Sequence, residues 1–248
     1  MRRFFVEKIR ENNGVCSITG SEAKHIAKVM RMKPGDRFVL LDGEGRRFQV
    51  SIKTVAPKVV QVVMEKSLSR PPHSLVNITL CQALLKSGAM DYLIQKTSEL
   101  GVDRIVPFFS ERTVVKYKKE SFATKIRHWH EISVSSAKQS GGIPAEIETP
   151  VSIVQLNEEW KGASSALKVV LWEEEGTTDF KSLLKTCPPA EKILGMVGPE
   201  GGFSREEIDS CRDAGFVPVS LGHRILRAET AAMIMVAIVQ YELGDLCL

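Results

Sequence analysis

Between Lys192 and Val197 the chain reads KILGMV, an apolar run of strand length, and it then meets Gly198, Pro199, Gly201 and Gly202, where a regular strand cannot continue. Ser204 fits a helix N-cap, Glu207 is its capping-box partner three residues on, and Gly215 fits the stop after Ala214. The pattern predicts strand, glycine loop, helix. A short strand from Val217 to Leu221 then ends at Gly222, a compact loop carries Arg224, Ile225, Leu226 and Arg227, and a helix starts near Glu229. From Ala231 to Leu243 that helix reads AAMIMVAIVQYEL, apolar on nearly every face. Burial all round is therefore expected, in the core or against another subunit. The segment is too short and too interrupted to span a bilayer.

Upstream, apolar runs alternate with helical patterns: Val76 to Cys81, Ala89 to Leu100 ending at Gly101, Arg104 to Phe108, a helix around Phe122 to Lys138, and Lys168 to Trp172. This is an α/β pattern with a parallel sheet, and such sheets hold ligands beyond the carboxyl ends of their strands. The N-terminal part reads differently. Arg37 to Asp42, Arg47 to Lys53 and Val59 to Lys66 are short strands, the first two separated by the turn Gly43, Glu44, Gly45, and together they predict a small barrel. A helix from Ser21 to Met32 interrupts it, with Ile26, Val29 and Met30 on one face. Prolines and polar residues in SLSRPPHS, Ser67 to Ser74, break the periodicity, which predicts domains over 1–70 and 75–248.

Composition narrows the class. With 248 residues and 43% hydrophobic content the chain can fill ordinary globular cores, and MRRFFVEKIREN at its start lacks the apolar stretch of a signal peptide. Cys16, Cys81, Cys187, Cys211 and Cys247 lie far apart, with no CxxC pair and no histidines at ligand spacing. Reduced thiols in a cytoplasm and no structural metal are expected, each cysteine serving as a small buried residue. Charge is asymmetric: residues 1–74 carry 15 Lys/Arg against 7 Asp/Glu, and residues 75–248 carry 19 against 23. A nucleic-acid-reading module joined to a catalytic domain has this distribution, as does a merely solvated basic surface. A second basic run, RTVVKYKK from Arg112 to Lys119, extends the RNA-facing surface or is a plain exposed loop. Of the histidines, only His223 stands beside the loops of interest, as a base or as an exposed neutral side chain.

The glycine loop matches neither a P-loop nor a GxGxxG fingerprint, and Glu200 inside it opposes a polyphosphate. Standing alone, PEGG is an ordinary tight turn. Its neighbour LGHRILRAETA changes that reading towards a small-molecule pocket.

These motifs, with RRFFV (Arg2 to Val6), HIAKVMRMKPGD (His25 to Asp36) and KTSELGV (Lys96 to Val102), resemble the RsmE family of 16S ribosomal RNA methyltransferases in the SPOUT superfamily. The resemblance spans nearly the whole chain, with the motifs in the family's order. It implies a PUA-like RNA-binding β-barrel followed by an α/β SPOUT domain with a parallel sheet and a deep trefoil knot, a rare exception to unknotted topology. One departure stands out: members usually carry an arginine shortly after the AxQS segment, where this chain reads AKQSGGIPAEI from Ala137, with Gly141 and Gly142.

The implied activity is transfer of a methyl group from S-adenosylmethionine to N3 of a uridine in the decoding region of 16S rRNA, during small-subunit maturation. The implied cofactor pocket consists of Leu171, Trp172 and Glu173; Val197, Gly198, Pro199, Glu200, Gly201 and Gly202; and Leu221, Gly222, Ile225, Leu226, Arg227, Thr230 and Ala231. Glycines let the backbone reach adenine and ribose, while Leu221, Ile225 and Leu226 supply apolar walls. Uridine N3 must lose its proton as it attacks, and the charge spreads onto O2 and O4, so a base and a cation are required. Arg227 is the expected cation, with Glu229 or Glu200 as base; alternatively Glu229 and Thr230 cap the last helix and Arg227 pairs with a carboxylate. RNA contact is expected at Arg2, Arg3, Arg31, Lys33, Arg46, Lys86 and Arg112, and the family is homodimeric. Two alternatives are an RNA- or ribosome-binding protein that keeps the SPOUT scaffold without chemistry, and a SPOUT enzyme methylating tRNA ribose.

Overall fold

A computed structural model describes residues 2–69, 74–115, 121–163, 165–176, 178–186 and 190–246. The chain forms two compact units, one of residues 1–73 with 137–143, the other of 74–136 with 144–248. Part of the proline-bearing segment read as the boundary, residues 70–73, lies outside the described residues, as do 116–119 of the second basic run.

The first unit is a six-stranded sheet. Its strands are β1 (Arg3–Val6), β2 (Glu11–Asn12), β3 (Val15–Thr19), β4 (Arg37–Asp42), β5 (Arg47–Val55) and β6 (Val59–Leu68), in the order β1-β4-β5-β6-β3-β2. Only the β1–β4 pairing is parallel. Phe4, Ile18, Phe38, Leu40, Val50, Val60 and Val62 fill its core. The turn after β4 closes around the buried Asp42 carboxylate, which accepts from the amides of Ile9 (3.2 Å), Glu44 (3.1 Å) and Arg46 (2.9 Å).

The helix expected over Ser21 to Met32 takes a different form. A short α1 (Gly20–Lys24) runs into a π-helical turn, His25–Val29. A π turn is wider than an α turn, so a spacing of three no longer returns to the same face. Ile26 is buried, but Val29 is 68% exposed, and Ala23 and Met32 join Ile26 in the core instead.

The second unit holds β7 (Asn77–Ala83), α2 (Ser87–Glu99), β8 (Arg104–Phe109), α3 (Phe122–Ser140), β9 (Glu146–Ile147), β10 (Val151–Ser152), α4 (Ile153–Trp160), β11 (Leu167–Leu171), α5 (Phe180–Thr186), β12 (Lys192–Val197), α6 (Arg205–Asp213), β13 (Val217–Val219) and α7 (Ala228–Glu242). The last turn of α3 counts with the first unit. Strand order is β10-β8-β7-β12-β11-β13, with β9 also on β8, and every pairing is parallel. Both sheet faces are covered, as parallel sheets require. Along β12, Ile193 and Val197 enter one core with α2 and α7, whereas Leu194 and Met196 enter the other with α4 and α6.

Gly195 in the middle of β12 allows α7 to approach; a Cβ there would collide with the Met235 thioether. Farther along α7, the buried Gln240 donates to the Gly101 carbonyl at 2.9 Å and accepts from Ser74 Oγ at 2.9 Å. The helix is not buried all round within one chain: Ile234 is 40% and Tyr241 60% exposed. On the opposite side of the sheet the buried Lys168 ammonium donates to the carbonyls of Trp160 (2.6 Å) and Ala214 (3.0 Å), tying together the ends of α4 and α6. It has no carboxylate partner among the described residues, and burial pushes its pKa below the ordinary value.

Candidate active site

A cavity of about 1020 Å³ opens beyond the carboxyl ends of β11, β12 and β13. The segment leaving β11 contributes Leu171, Trp172, Glu173, Glu174, Glu175 and Gly176. Val197, Gly198, Pro199, Glu200, Gly202 and Phe203 come from the end of β12, and Ser220 to Arg227 from the stretch after β13. Ala228, Glu229 and Ala231 of α7, Lys86 and Ala89 at the start of α2, and Asp179 complete the wall.

The glycine loop is built as its sequence dictates up to its ends. Gly202 N donates to Pro199 O at 3.0 Å, and the Ser204–Glu207 capping box then starts α6, with the helix closed by Ala214 and by Gly215 at positive φ. At Gly198 a Cβ would press within 3.1 Å of the Phe203 ring, and at Gly202 it would strike the Glu173 carboxylate. Phe203 stacks on Phe108 from β8, with centroids 6.2 Å apart.

Long-range contacts fix this loop from both sides. Gln82, buried at the end of β7, donates through Nε2 to Ala83 O (3.0 Å), Gly198 O (3.2 Å) and Val197 O (3.4 Å). The buried Glu207 carboxylate accepts from Ser204 N (3.0 Å), Ser110 Oγ (3.1 Å) and Glu111 N (2.8 Å). The loop after β11 is held against α6: Glu174 pairs with Arg205 at 3.2 Å, Glu175 with Arg212 at 3.8 Å, and the Arg212 guanidinium lies 5.5 Å from the Trp172 ring centre.

Of the expected cofactor residues, the structure gathers all but Gly201 and Thr230 around one cavity. Leu221 and Leu226 are half-buried there, but Ile225 is 89% exposed and stands at the rim rather than forming an interior wall. Arg227, Glu229 and Glu200 share the cavity. Arg227 is the N-cap residue of α7 and its guanidinium has no hydrogen-bond or ion-pair partner among the described residues, while Glu200 Oε1 accepts from Lys86 N at 3.4 Å. Neither Glu229 nor Thr230 occupies the cap position. His223 lines the cavity; His25 packs edge-on against Phe4, and His128 meets Asp91 at 3.1 Å.

Sequence reading missed Glu174, Glu175, Asp179, Phe203 and Arg224 as wall residues, although the acidic run directly after β11 signalled a strand end rich in carboxylates. Asp179 also caps α5, and the hydroxyl and amide of Ser182 hold its carboxyl below the usual range.

The basic residues divide. Arg2, Arg31 and Lys33 are exposed on the first unit with side chains unpaired among the described residues. Arg46 is not free: its guanidinium binds Asp42 at 2.6 Å and donates to Ile9 O at 3.2 Å. A buried carboxylate holds it inside the turn. Arg3 is likewise engaged, donating to Gln139 O at 2.7 Å at the end of α3, where the lack of a side chain at Gly141 leaves room for it. Lys86 belongs to the cavity wall, and Arg112 donates to Gly201 O at 3.0 Å.

Cys16, Cys81 and Cys211 are buried free thiols, and burial pushes Cys211 up to about 12; Cys187 and Cys247 lie outside the described residues. No cluster of metal-ligating side chains occurs among the described residues, and none of their helices is long and apolar enough to cross a membrane.

Fold and site together define an RNA methyltransferase: residues 71–240 match the RNA methyltransferase domain and residues 18–65 the RNA methyltransferase PUA domain. The chain is 32% identical to ribosomal RNA small subunit methyltransferase E of Buchnera aphidicola subsp. Schizaphis graminum, over 98% of this chain and 97% of the relative. It belongs to the ribosomal RNA small subunit methyltransferase E family. Among solved structures, that enzyme from Neisseria gonorrhoeae, bound to S-adenosyl methionine, superposes with a TM-score of 0.88 at 28% identity and 99% coverage of both chains. A Legionella pneumophila protein solved with the bound cofactor SAM also reaches 0.88, at 33% identity and 98% coverage of both.

Proposed function

We propose that this chain binds S-adenosylmethionine in the cavity above β11, β12 and β13 and methylates N3 of a uridine in the decoding region of 16S rRNA. The observation that carries the reading is the cavity itself: three strand-end loops converge on it, and a Cβ at Gly198 would press on the Phe203 ring while one at Gly202 would meet the Glu173 carboxylate, both part of the cavity wall. Its volume suits a ligand of cofactor size. Glu173, Glu200 and Glu229 give it carboxylates that favour a cationic ligand.

When bound, the cofactor supplies an electrophilic methyl group. The chain's own residues do the rest. Arg227, with no partner among the described residues, is available to stabilise the charge that develops on the uracil oxygens once N3 gives up its proton. Glu229 or Glu200 takes that proton or positions a water that does so. Arg2, Arg31 and Lys33 contact RNA phosphates from the first unit, whose basic charge adds affinity without sequence selectivity. A division into an RNA-binding domain over 1–70 and a catalytic domain over 75–248 matches these roles. The exposed apolar positions of α7 support a homodimer, and the cytoplasm is where such an enzyme meets its rRNA. The knotted course implied by the resemblance accords with α7 returning to β7 and β12 after β13 has been laid beyond β11.

Arg227→Ala and Glu229→Gln should each lower single-turnover methylation of 16S rRNA by about 100-fold or more at saturating cofactor. Normal turnover in both variants refutes the assignment. In a deletion strain, 3-methyluridine should vanish from 16S rRNA by mass spectrometry; loss of a 2′-O-methyl mark instead refutes the base specificity.

A further inference from the structure

We infer that Arg112 is a positioning residue of the cofactor loop, acting through the Gly201 carbonyl, and not an RNA contact. This rests on the cofactor reading of the cavity. Its sequence context suggests otherwise, since Arg112 opens a basic run. In the fold Arg112 stays exposed, but its guanidinium is committed to the loop. Its Nη1 donates to Gly201 O at 3.0 Å, and its side chain lies along the outer side of that residue: a Cβ on Gly201 would sit 3.3 Å from Arg112 Cβ and 3.7 Å from its Cδ. Gly201 alone of the residues from Val197 to Phe203 does not line the cavity. Its missing side chain makes room for Arg112, not for a ligand.

The arm has a fixed base. Ser110 and Thr113 close a turn on each other, Thr113 N to Ser110 O at 3.0 Å and Ser110 N to Thr113 Oγ1 at 3.0 Å. Glu207 pins the same turn by accepting from Ser110 Oγ and Glu111 N, and it also accepts from Ser204 N where the loop enters α6. One carboxylate thus sets the distance between the root of the arm and the end of the loop. Arg112 grips the loop's crest, where Pro199, Glu200 and Gly202 face the cavity. Without that grip the crest keeps the internal Gly202–Pro199 bond, and ordering it must be completed when a ligand binds.

Two titrations on the full chain separate the roles: S-adenosylhomocysteine by calorimetry, and 16S rRNA at several salt concentrations. Arg112→Ala should weaken cofactor-analogue binding about tenfold, the equivalent of one hydrogen bond from a charged donor, with Arg112→Lys recovering part of it. The salt slope of RNA binding should be unchanged. Gly201→Ala, which pushes on the arm from the other side, should weaken the analogue in the same direction. Amide exchange around 200–202 in the ligand-free protein should quicken in Arg112→Ala while β12 stays protected. A salt slope smaller by about one unit in Arg112→Ala, with or without weaker analogue binding, overturns the inference. So does analogue affinity equal to wild type. If the wild-type chain binds no analogue at all, the cofactor reading fails instead.

Discussion

Replacing Gln82 by leucine tests whether the other side of the cofactor loop is held as the structure describes. The amide nitrogen of Gln82 faces three carbonyls, at Ala83, Gly198 and Val197, and its Oε1 is buried with no partner among the described residues. Leucine removes two good donor bonds, each worth about 1 kcal/mol net, about 2 kcal/mol together. It also removes the unpaired Oε1, which offsets part of that loss. The balance is about 1–2 kcal/mol, concentrated where β12 passes into Gly198. If the loop is ordered at that cost on binding, S-adenosylhomocysteine affinity falls about 5- to 30-fold. Global stability changes less, because β12 keeps both ladders. Calorimetry with the analogue, paired with urea unfolding, separates the two effects. Gln82→Glu sharpens the test: a carboxylate facing three carbonyl oxygens must be protonated to stay, so its analogue affinity should be poor at neutral pH and improve on acidification. Wild-type affinity in Gln82→Leu, or an indifferent pH profile in Gln82→Glu, refutes the reasoning.

Lys168 makes stability depend on pH in an unusual direction. Because burial lowers its pKa in the fold, the unfolded chain binds more protons between that lowered value and the ordinary 10.5. Stability should therefore rise with pH across that interval and be flat below it; urea midpoints from pH 7 to 10.5 should lose this rise in Lys168→Met. Gly195→Ala places a methyl group against the Met235 thioether and should cost about 1–3 kcal/mol in denaturant unfolding. Part of the loss should disappear when Met235 is also shortened to alanine, since the two changes share one space.

Elements defined by their own residues were legible from the chain. The run KILGMV, the Ser204–Glu207 box and Gly215 carry strand, cap and stop within a few positions, and each formed as read. Strands β1, β3, β9 and β10, and the helices α4 and α5, carry too few periods to stand out, and several of them exist through pairing with distant strands. The π turn at His25–Val29 escaped for another reason: α periodicity assumes the turn width it is meant to detect. At the site, glycine positions and strand ends pointed to the cavity, but the destinations of long cationic side chains did not. Arg3, Arg46 and Arg112 are similar in sequence to free basic residues, and only folding brings Gln139 O, Asp42 and Gly201 O to them.

The place of β12 between β7 and β11 has a consequence for how the chain is made. Both neighbours leave the ribosome before it, so until residues 192–197 emerge each presents an unpaired, hydrophobic strand edge with nothing between them. Closing the sheet means inserting the last-made of the three into the middle, a pairing that links β7 to a partner more than a hundred residues away and is slow for that reason. A nascent chain stalled before Lys192 therefore exposes one edge of β7 and both edges of β11, since β13 is made later still, and its hazard is self-association rather than a mere loss of activity.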